Sequence, residues 1–406
     1  MGQTLSTPIT EKHSTSGQDK RFAYGASAMQ GWRITMEDAH TTLLEVENAE
    51  GVAFFAVYDG HGGPNVAKFS GEGLHKKIVG DKAFAKGDYV AAIKNGFLEM
   101  DRALRYDPEY GGDSSGCTAI TATFTDKNVL YVGNAGDSRA VLGTDGAAIA
   151  LSHDHKPVNK EESRRIVAAG GFVEYGRVNG SLALSRALGD FEFKTNATLG
   201  PDDQIVTANP VIVEHKLTDD DEFLILACDG IWDCMTSQEV VTFVRKGIAD
   251  NIPLDKLCEM TMDNCLASDT GMAGVGCDNM TMVIVAFLNG RTLEDWYEHI
   301  ARRVAVRLGP ADSKLRPNGD EDPETFKETL AEYERQEVLS TNADGTPKAN
   351  DVQELPESES VTETKEAKET MDINELKEAN ELKESNEPKV EEKQETMEPS
   401  PVKPGK

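Results

Sequence analysis

The chain has 406 residues, two to three times a usual domain length, and its 42 basic and 71 acidic residues leave a formal charge of −29. So acidic a chain, with no Lys/Arg cluster in its first 290 residues, lacks the basic face that nucleic-acid binding requires, which excludes nucleic acid as a partner. No apolar run approaches the roughly 18 residues that span a bilayer, and the N-terminus has neither the apolar core of a secretory signal nor the Arg-rich character of a transit peptide. Six cysteines (Cys117, Cys228, Cys234, Cys258, Cys265 and Cys277) show no C-x-x-C pairing, so reduced and mostly buried thiols are expected.

In chain order, Met1-Gly2-Gln3-Thr4-Leu5-Ser6 fits the pattern for myristoylation of Gly2. A single acyl chain without a polybasic partner gives marginal, reversible membrane contact, so a soluble protein of the cytoplasm and nucleus with at most transient membrane association is expected. Residues 1–21 are polar and read as a flexible N-terminus. From Phe22 the character changes. Val52 to Tyr58 is a seven-residue run of β-formers bounded by Gly51 and Asp59-Gly60, which predicts a strand buried on both faces. Further strands are predicted at 128–132 and 140–142, around a Gly-rich turn at 133–138, and at 222–228 and 280–288. Helical spacing marks 64–79, 88–106, 237–249 and 253–267. Asn159 and Glu162 have the spacing of a capping box, and Gly170-Gly171 stops the helix that follows. Residues 172–200 read as a flap-like region that Arg186 anchors through a carboxylate.

Long strand-like runs with the helices in pairs, and no regular βαβ rhythm, predict an α+β protein with antiparallel sheets. Residues 22–290 read as the catalytic domain and 291–310 as a helical extension carrying Trp296, Tyr297 and Ile300, either docked on the core or a short appendage. Residues 311–406 read as an acidic, low-complexity, disordered tail. From Asp351 to Lys406 there is no aromatic residue, too little apolar surface to offset the entropy of ordering. The six-residue units at 374, 380 and 386 match no helical period. Thr362, Thr364, Ser385, Thr396 and Ser400-Pro401 suit phosphorylation or partner docking, against the alternative of a purely solubilising expansion. Of the total charge, −16 falls in residues 1–290 and −13 in 291–406.

The chemically informative residues are acids at strand ends. Asp59 follows the first buried strand, Asp229 follows the strand at 222–228, Asp278 precedes the strand at 280–288, and Asp137 sits in the Gly-rich turn. Converging carboxylates repel one another unless a cation sits among them. A set rich in oxygen and poor in sulfur selects Mg²⁺ or Mn²⁺ over zinc. A single Asp-Gly is ordinarily a turn, and Asp145-Gly146 reads as one.

Seven motifs then occur in order over about residues 22–288. They are Arg33-Ile34-Thr35-Met36-Glu37-Asp38, Tyr58-Asp59-Gly60-His61-Gly62-Gly63, Gly136-Asp137-Ser138-Arg139, Ser152-His153-Asp154-His155-Lys156-Pro157, Leu184 to Asp190, Ala227 to Asp233, and Gly276 to Thr281. Together they resemble the metal-dependent type 2C protein serine/threonine phosphatases, most of all the fungal members. The resemblance implies a four-layer αββα sandwich of two antiparallel β-sheets flanked by helices, with the metal site at one end. It implies that Asp59 bridges two ions and that the Gly60 carbonyl completes one sphere. Glu37, Asp229 and Asp278 would supply the other carboxylates, with Asp38 beside them holding metal-bound water. Asp137 and Asp233 match positions that, with Asp229, hold a weaker third ion in some relatives.

The mechanism implied is direct attack by a water or hydroxide held between two Mg²⁺ or Mn²⁺ ions on phosphoserine or phosphothreonine. Arg33 would grip the phosphate through its planar donor fork, and His61 would protonate the leaving alkoxide. Bland alternatives stand beside these roles: Arg33 and Glu37 as an ordinary i,i+4 ion pair, and His61 as a satisfied turn residue. The expected partners of this monomer are phosphoprotein substrates, protein kinases of stress and cell-cycle signalling among them. Two competing classes are a pseudophosphatase binding module, which retention of Glu37, Asp59, Asp229 and Asp278 disfavours, and a hydrolase with Ser138 as nucleophile, which Ala140 disfavours by breaking G-x-S-x-G.

Overall fold

The computed structural model describes residues 4–270 and 274–305. Two antiparallel sheets dominate it. The six-stranded sheet runs in the order Thr4–Gln18, Phe22–Arg33, Met280–Phe287, Asp221–Ala227, Arg139–Thr144, Ala147–Ala150. The five-stranded sheet runs Val211–Lys216, Val129–Ala135, Ala119–Phe124, Ala53–Tyr58, Ala39–Leu43.

The strand Ala53–Tyr58 is buried at every position because its two faces serve two layers. Phe55 and Val57 enter the core between the sheets, beside Leu224, Leu226, Val283 and Val285 of the other sheet. Phe54, Ala56 and Tyr58 turn outward to Leu74, Ile78 and Phe97 of the helices Asn65–Val79 and Tyr89–Tyr106. The opposite outer face repeats the arrangement. There Phe223, Ile225 and Ala227 meet the helices Ser237–Ala249, Leu254–Cys265 and Leu293–Ala305. Each fully buried Leu, Val or Phe contributes about 1.5–3 kcal/mol, so the four-layer αββα sandwich is the arrangement that uses every face of these runs.

The elements differ from the sequence reading in three places. Residues 4–18 form the edge strand of the six-stranded sheet, paired with Phe22–Arg33 from Thr4↔Arg33 to Gln18↔Ala23, in place of a flexible N-terminus. The pairing is main-chain, so it needs no apolar alternation; Pro8 is tolerated because this is an edge with register shifts between Thr4 and Lys12. Lys12 and Ser14 dock it on the helix Leu254–Cys265 through Asp263 (2.6 Å) and Glu259 (2.7 Å). The helix Lys160–Ala168 has no side-chain cap at Asn159; Glu162 turns instead to Arg186. The full capping box is at Thr236, whose amide donates to Glu239 Oε2 at 2.8 Å while Glu239 N donates to Thr236 Oγ1 at 3.3 Å. Of the two alternatives for the helix Leu293–Ala305, the docked one is observed, with Trp296 1% and Ile300 0% exposed among residues of the six-stranded sheet's outer layer.

The predicted Asp145-Gly146 turn is present, both residues having positive φ. Among the described residues no helix is long and apolar enough to cross a membrane. Gly2 and the tail at 311–406 lie outside the described residues. Trp296→Ala removes the largest fully buried side chain of the helix Leu293–Ala305. It is expected to cost about 3–5 kcal/mol, read as a lower urea midpoint; an unchanged midpoint would place this helix outside the cooperative core.

Candidate active site

Strand register delivers the acids to one end of the sandwich. Met280 pairs with Met29, Ala227 with both Met282 and Arg139, Tyr58 with Ala39, and Ala119 with Ala135. Arg33, Asp38, Asp59, Asp137, Asp229 and Asp278 therefore all sit at the same ends of neighbouring strands. The loop bearing Glu37 crosses directly over Gly60, where any Cβ would run into the Glu37 carbonyl, so only glycine fits. Asn279 fixes that loop: its Oδ1 accepts from Glu37 N (3.0 Å) and its Nδ2 donates to the carbonyls of Gln30 (2.8 Å) and Thr35 (3.0 Å).

The cluster is electrostatically strained. Burial raises the pKa of Asp59 well above the carboxylate range, and the charges of Asp229, Asp38, Asp137 and Asp278 push it further. Asp229 is raised in the same way, by burial and then by Asp137, Asp278 and Asp233. Burial lifts Asp38 to about 7, opposed chiefly by the hydrogen bond from Thr281 Oγ1 at 2.7 Å. Asp137 is raised by burial, with Lys156 opposing, and Asp278 by burial, with Arg33 opposing. Two buried carboxylate oxygens, Asp38 Oδ1 and Asp137 Oδ1, have no hydrogen-bond partner. Orphaned anionic oxygens in a repelling cluster are what a cation would satisfy.

Donor atoms of Asp38, Asp59 and Cys228 lie within 4.8 Å of one another. Cys228 fits a cation poorly. Its thiol is held protonated by burial and by the neighbouring acids, and its Sγ donates to the Asn279 carbonyl at 3.6 Å. The carboxylates Asp38, Asp59, Asp137, Asp229 and Asp278, with Glu37 at the rim, form an oxygen set suited to a hard divalent cation. Asp233 is exposed at the mouth, its amide donating to the Asp229 carbonyl at 2.8 Å at the end of the short helix Asp229–Trp232.

Arg33 ends its strand and pairs with Asp278 at 2.5 Å, so the helical Arg33–Glu37 pair does not form. Glu37 accepts instead from Thr35 Oγ1 (2.7 Å) and the Gly63 amide (3.2 Å). His61 Nε2 lies 2.8 Å from Asp190 Oδ2. Burial disfavours its protonation, but the hydrogen bond and charge of Asp190, with Asp137 and Glu37 behind it, raise its pKa overall. Ser138 is fully buried with its hydroxyl against Thr118 Oγ1 (2.7 Å), which removes it as a nucleophile.

Sequence reasoning missed several supporting residues. Asp190 holds His61, Lys156 pairs with Asp137, Asn279 holds the Glu37 loop, and Arg139 takes Asp154 in a two-pronged pair of 2.8 and 3.0 Å. All lie inside the quoted motifs, but their partners are 15 to 249 positions away, beyond any local spacing signal. The flap reading of Arg186 holds. Its guanidinium clasps Glu162 (2.6 Å) and donates to the Asn209 carbonyl (3.0 Å) over a small core of Ile166, Val178, Ala187, Phe193 and Val206.

A sandwich with this acidic end defines a metal-dependent phosphatase, and residues 22–273 match the family model Protein phosphatase 2C. The chain is 57% identical over 318 residues to Protein phosphatase 2C homolog 2 of Hypocrea jecorina, covering 76% of this chain and 72% of that one. It is 56% identical over 313 residues to Protein phosphatase 2C homolog 3 of Schizosaccharomyces pombe, covering 76% and 75%. Among solved structures it resembles a phosphatase of Toxoplasma gondii with a TM-score of 0.59 and 26% identity, covering 68% of this chain and 96% of the other. The chain belongs to the protein phosphatase 2C family and is an enzyme of that class, a protein serine/threonine phosphatase.

The raised carboxylates set a pH dependence. The folded, metal-free protein holds protons on Asp38, Asp59 and Asp229 that the unfolded chain releases near the usual 3.8. Their stabilisation is complete below that pH and is lost as pH rises through the folded values, about 7 for Asp38. A divalent cation takes over the protons' role, so Mn²⁺ is expected to raise Tm more at pH 7.5 than at pH 5.5. Asp59→Asn should raise the metal-free Tm at pH 7.5 by about 2–4 °C, the equivalent of about 1 kcal/mol in a domain of this size. Scanning calorimetry with and without EDTA reads both; an Mn²⁺ shift independent of pH would contradict the electrostatic account.

Proposed function

We propose that the enzyme hydrolyses phosphoserine and phosphothreonine in proteins by direct water attack, with two Mg²⁺ or Mn²⁺ ions held by Asp59, Gly60, Glu37, Asp229 and Asp278. Asp38 would orient water at that centre, and Asp137 and Asp233 would serve a weaker third ion. The observation that carries this reading is the convergence of buried, mutually repelling carboxylates on one end of the sheets, with orphaned oxygens on Asp38 and Asp137. Bound cations supply charge neutralisation of the phosphoryl oxygens and a more acidic water.

The protein's own groups do the rest. Arg33 spends one nitrogen on Asp278, and its remaining donors have no partner among the described residues, so the planar fork can take a phosphate while Asp278 holds its orientation. His61 donates a proton to the departing serine or threonine oxygen. Asp190 occupies Nε2, which leaves Nδ1 as the donor, and the raised pKa favours the imidazolium form. The flap held by Glu162 and Arg186 flanks the site and would select among phosphoprotein partners. Signalling kinases of the cytoplasm and nucleus as substrates, a monomeric enzyme and acylation at Gly2 complete the proposal.

Chelation by EDTA should abolish hydrolysis of a phosphothreonine peptide and Mn²⁺ should restore it; activity that survives thorough chelation overturns the reading. Asp229→Asn should lower kcat/KM by about 10²–10³-fold with the fold intact by circular dichroism. His61→Gln should cost about 10²–10⁴-fold in kcat on the peptide but much less on p-nitrophenyl phosphate, whose leaving group needs no proton. Equal losses on both substrates would remove His61 as the acid.

A further inference from the structure

All six cysteines are free thiols, and Cys234 alone is not buried. Tertiary packing brings it to Cys265, 31 positions away in sequence, with Cys234 Sγ 3.6 Å from the Cys265 carbonyl. Cys234 also donates to the Gly230 carbonyl at 3.3 Å. The position of the pair matters. Cys234 directly follows Asp233, at the end of the turn that opens with Asp229. Cys265 ends the helix Leu254–Cys265, and two residues on, Ala267 N donates to the Gly276 carbonyl (3.0 Å) on the approach to Asp278. The Ala267 carbonyl accepts from Trp32 Nε1 (2.9 Å), next to Arg33. One half-buried thiol and one buried thiol thus join the two segments that carry acids of the site.

We propose that Cys234 and Cys265 form a modification site, closed as an intramolecular disulfide by a hydroperoxide, that weakens divalent-cation binding at the acidic end. The Cys234 sulfur attacks one peroxide oxygen of H₂O₂ and the O–O bond breaks, giving Cys234 sulfenic acid and one water. The Cys265 sulfur then attacks the Cys234 sulfur, the S–S bond forms, the S–O bond breaks and a second water leaves. Two thiols lose two hydrogens, and one peroxide is reduced to two waters. An S–S bond of about 2.05 Å draws the Cys234 sulfur to Cys265 and takes its hydrogen away from Gly230, so the Asp229–Asp233 turn loses a tie. The disulfide stands on the packing of the two cysteines alone; its effect on the cation rests on the reading of Asp229 and Asp233 as ligands.

The test treats the full-length, Mn²⁺-loaded enzyme with H₂O₂, blocks remaining thiols, and maps linked peptides by mass spectrometry. Beside it, the Mn²⁺ dependence of phosphopeptide hydrolysis is measured before and after dithiothreitol. The expected result is a Cys234–Cys265 peptide and an Mn²⁺ requirement raised about tenfold, the low end for disturbing groups behind a metal site, reversed by dithiothreitol and absent in Cys234→Ser. Cys265→Ser should behave identically; if it fails to fold, Cys234→Ser at the more open position carries the comparison. A missing Cys234–Cys265 peptide, or Cys234 linked to Cys277 instead, overturns the site. A linked peptide with an unchanged Mn²⁺ requirement, or with an equal change in Cys234→Ser, overturns its effect. Untreated enzyme indifferent to Mn²⁺ would instead overturn the metal reading and leave the disulfide standing on its own peptide.

Discussion

The repulsion among Asp38, Asp59, Asp137, Asp229 and Asp278 is the constraint around which this molecule is arranged. Such a cluster is unfavourable in a metal-free fold, because burial and like charge both oppose ionisation. It persists because the four layers beneath it over-determine the backbone. The strands that present the acids are buried along their length and cross-paired in fixed register, so no single carboxylate can withdraw without disturbing a sheet. The hydrophobic sandwich thereby holds charges where they would not choose to be, and that enforced proximity is the source of cation affinity.

A second tier of polar contacts sets the orientation of what the sheets place. Asn279 satisfies three main-chain groups of the 30–37 loop at once, so Arg33 and Glu37 are delivered as a unit. Asp190 sits in the left-handed backbone region at φ 50° directly after Gly189, and the short pairing of Leu188–Gly189 with Gly116–Cys117, and of those with Gly60–His61, brings its carboxylate to His61. Gly116 is part of the same device, since a Cβ there would press on both the Asp190 carboxylate and the His61 ring. Burial keeps the His155 imidazole neutral by lowering its pKa to about 4, with its Nδ1 against the Gly136 main chain next to Asp137. Catalytic groups on loops thus gain the precision of groups on strands.

Much of this was legible in the chain itself. The continuous apolar runs at Val52–Tyr58, 222–228 and 280–288 predicted strands buried on both faces, and acids at their ends predicted a cation site, because both follow from local chemistry: β-formers without polar alternation need apolar cover on both sides, and clustered carboxylates need a counter-charge. The motifs carried the family. Where sequence reading failed, the cause was an interaction set by distant partners. The polar segment 4–18 was read as flexible because its pairing is main-chain and leaves no apolar pattern. The Asn159 cap was predicted from spacing, yet Glu162 is drawn away by Arg186, 24 positions further on.

Sequence alone therefore determined the strand-forming runs, the oxygen-rich ligand chemistry and the membership of a phosphatase family, since each resides in residue type and short spacing. Tertiary structure decided which acids are buried and unpaired, that Arg33 leans on Asp278 and not Glu37, that Asp190 orients His61, and that Cys234 meets Cys265. Those facts are distances between residues far apart in the chain, and only strand register and layer packing fix them.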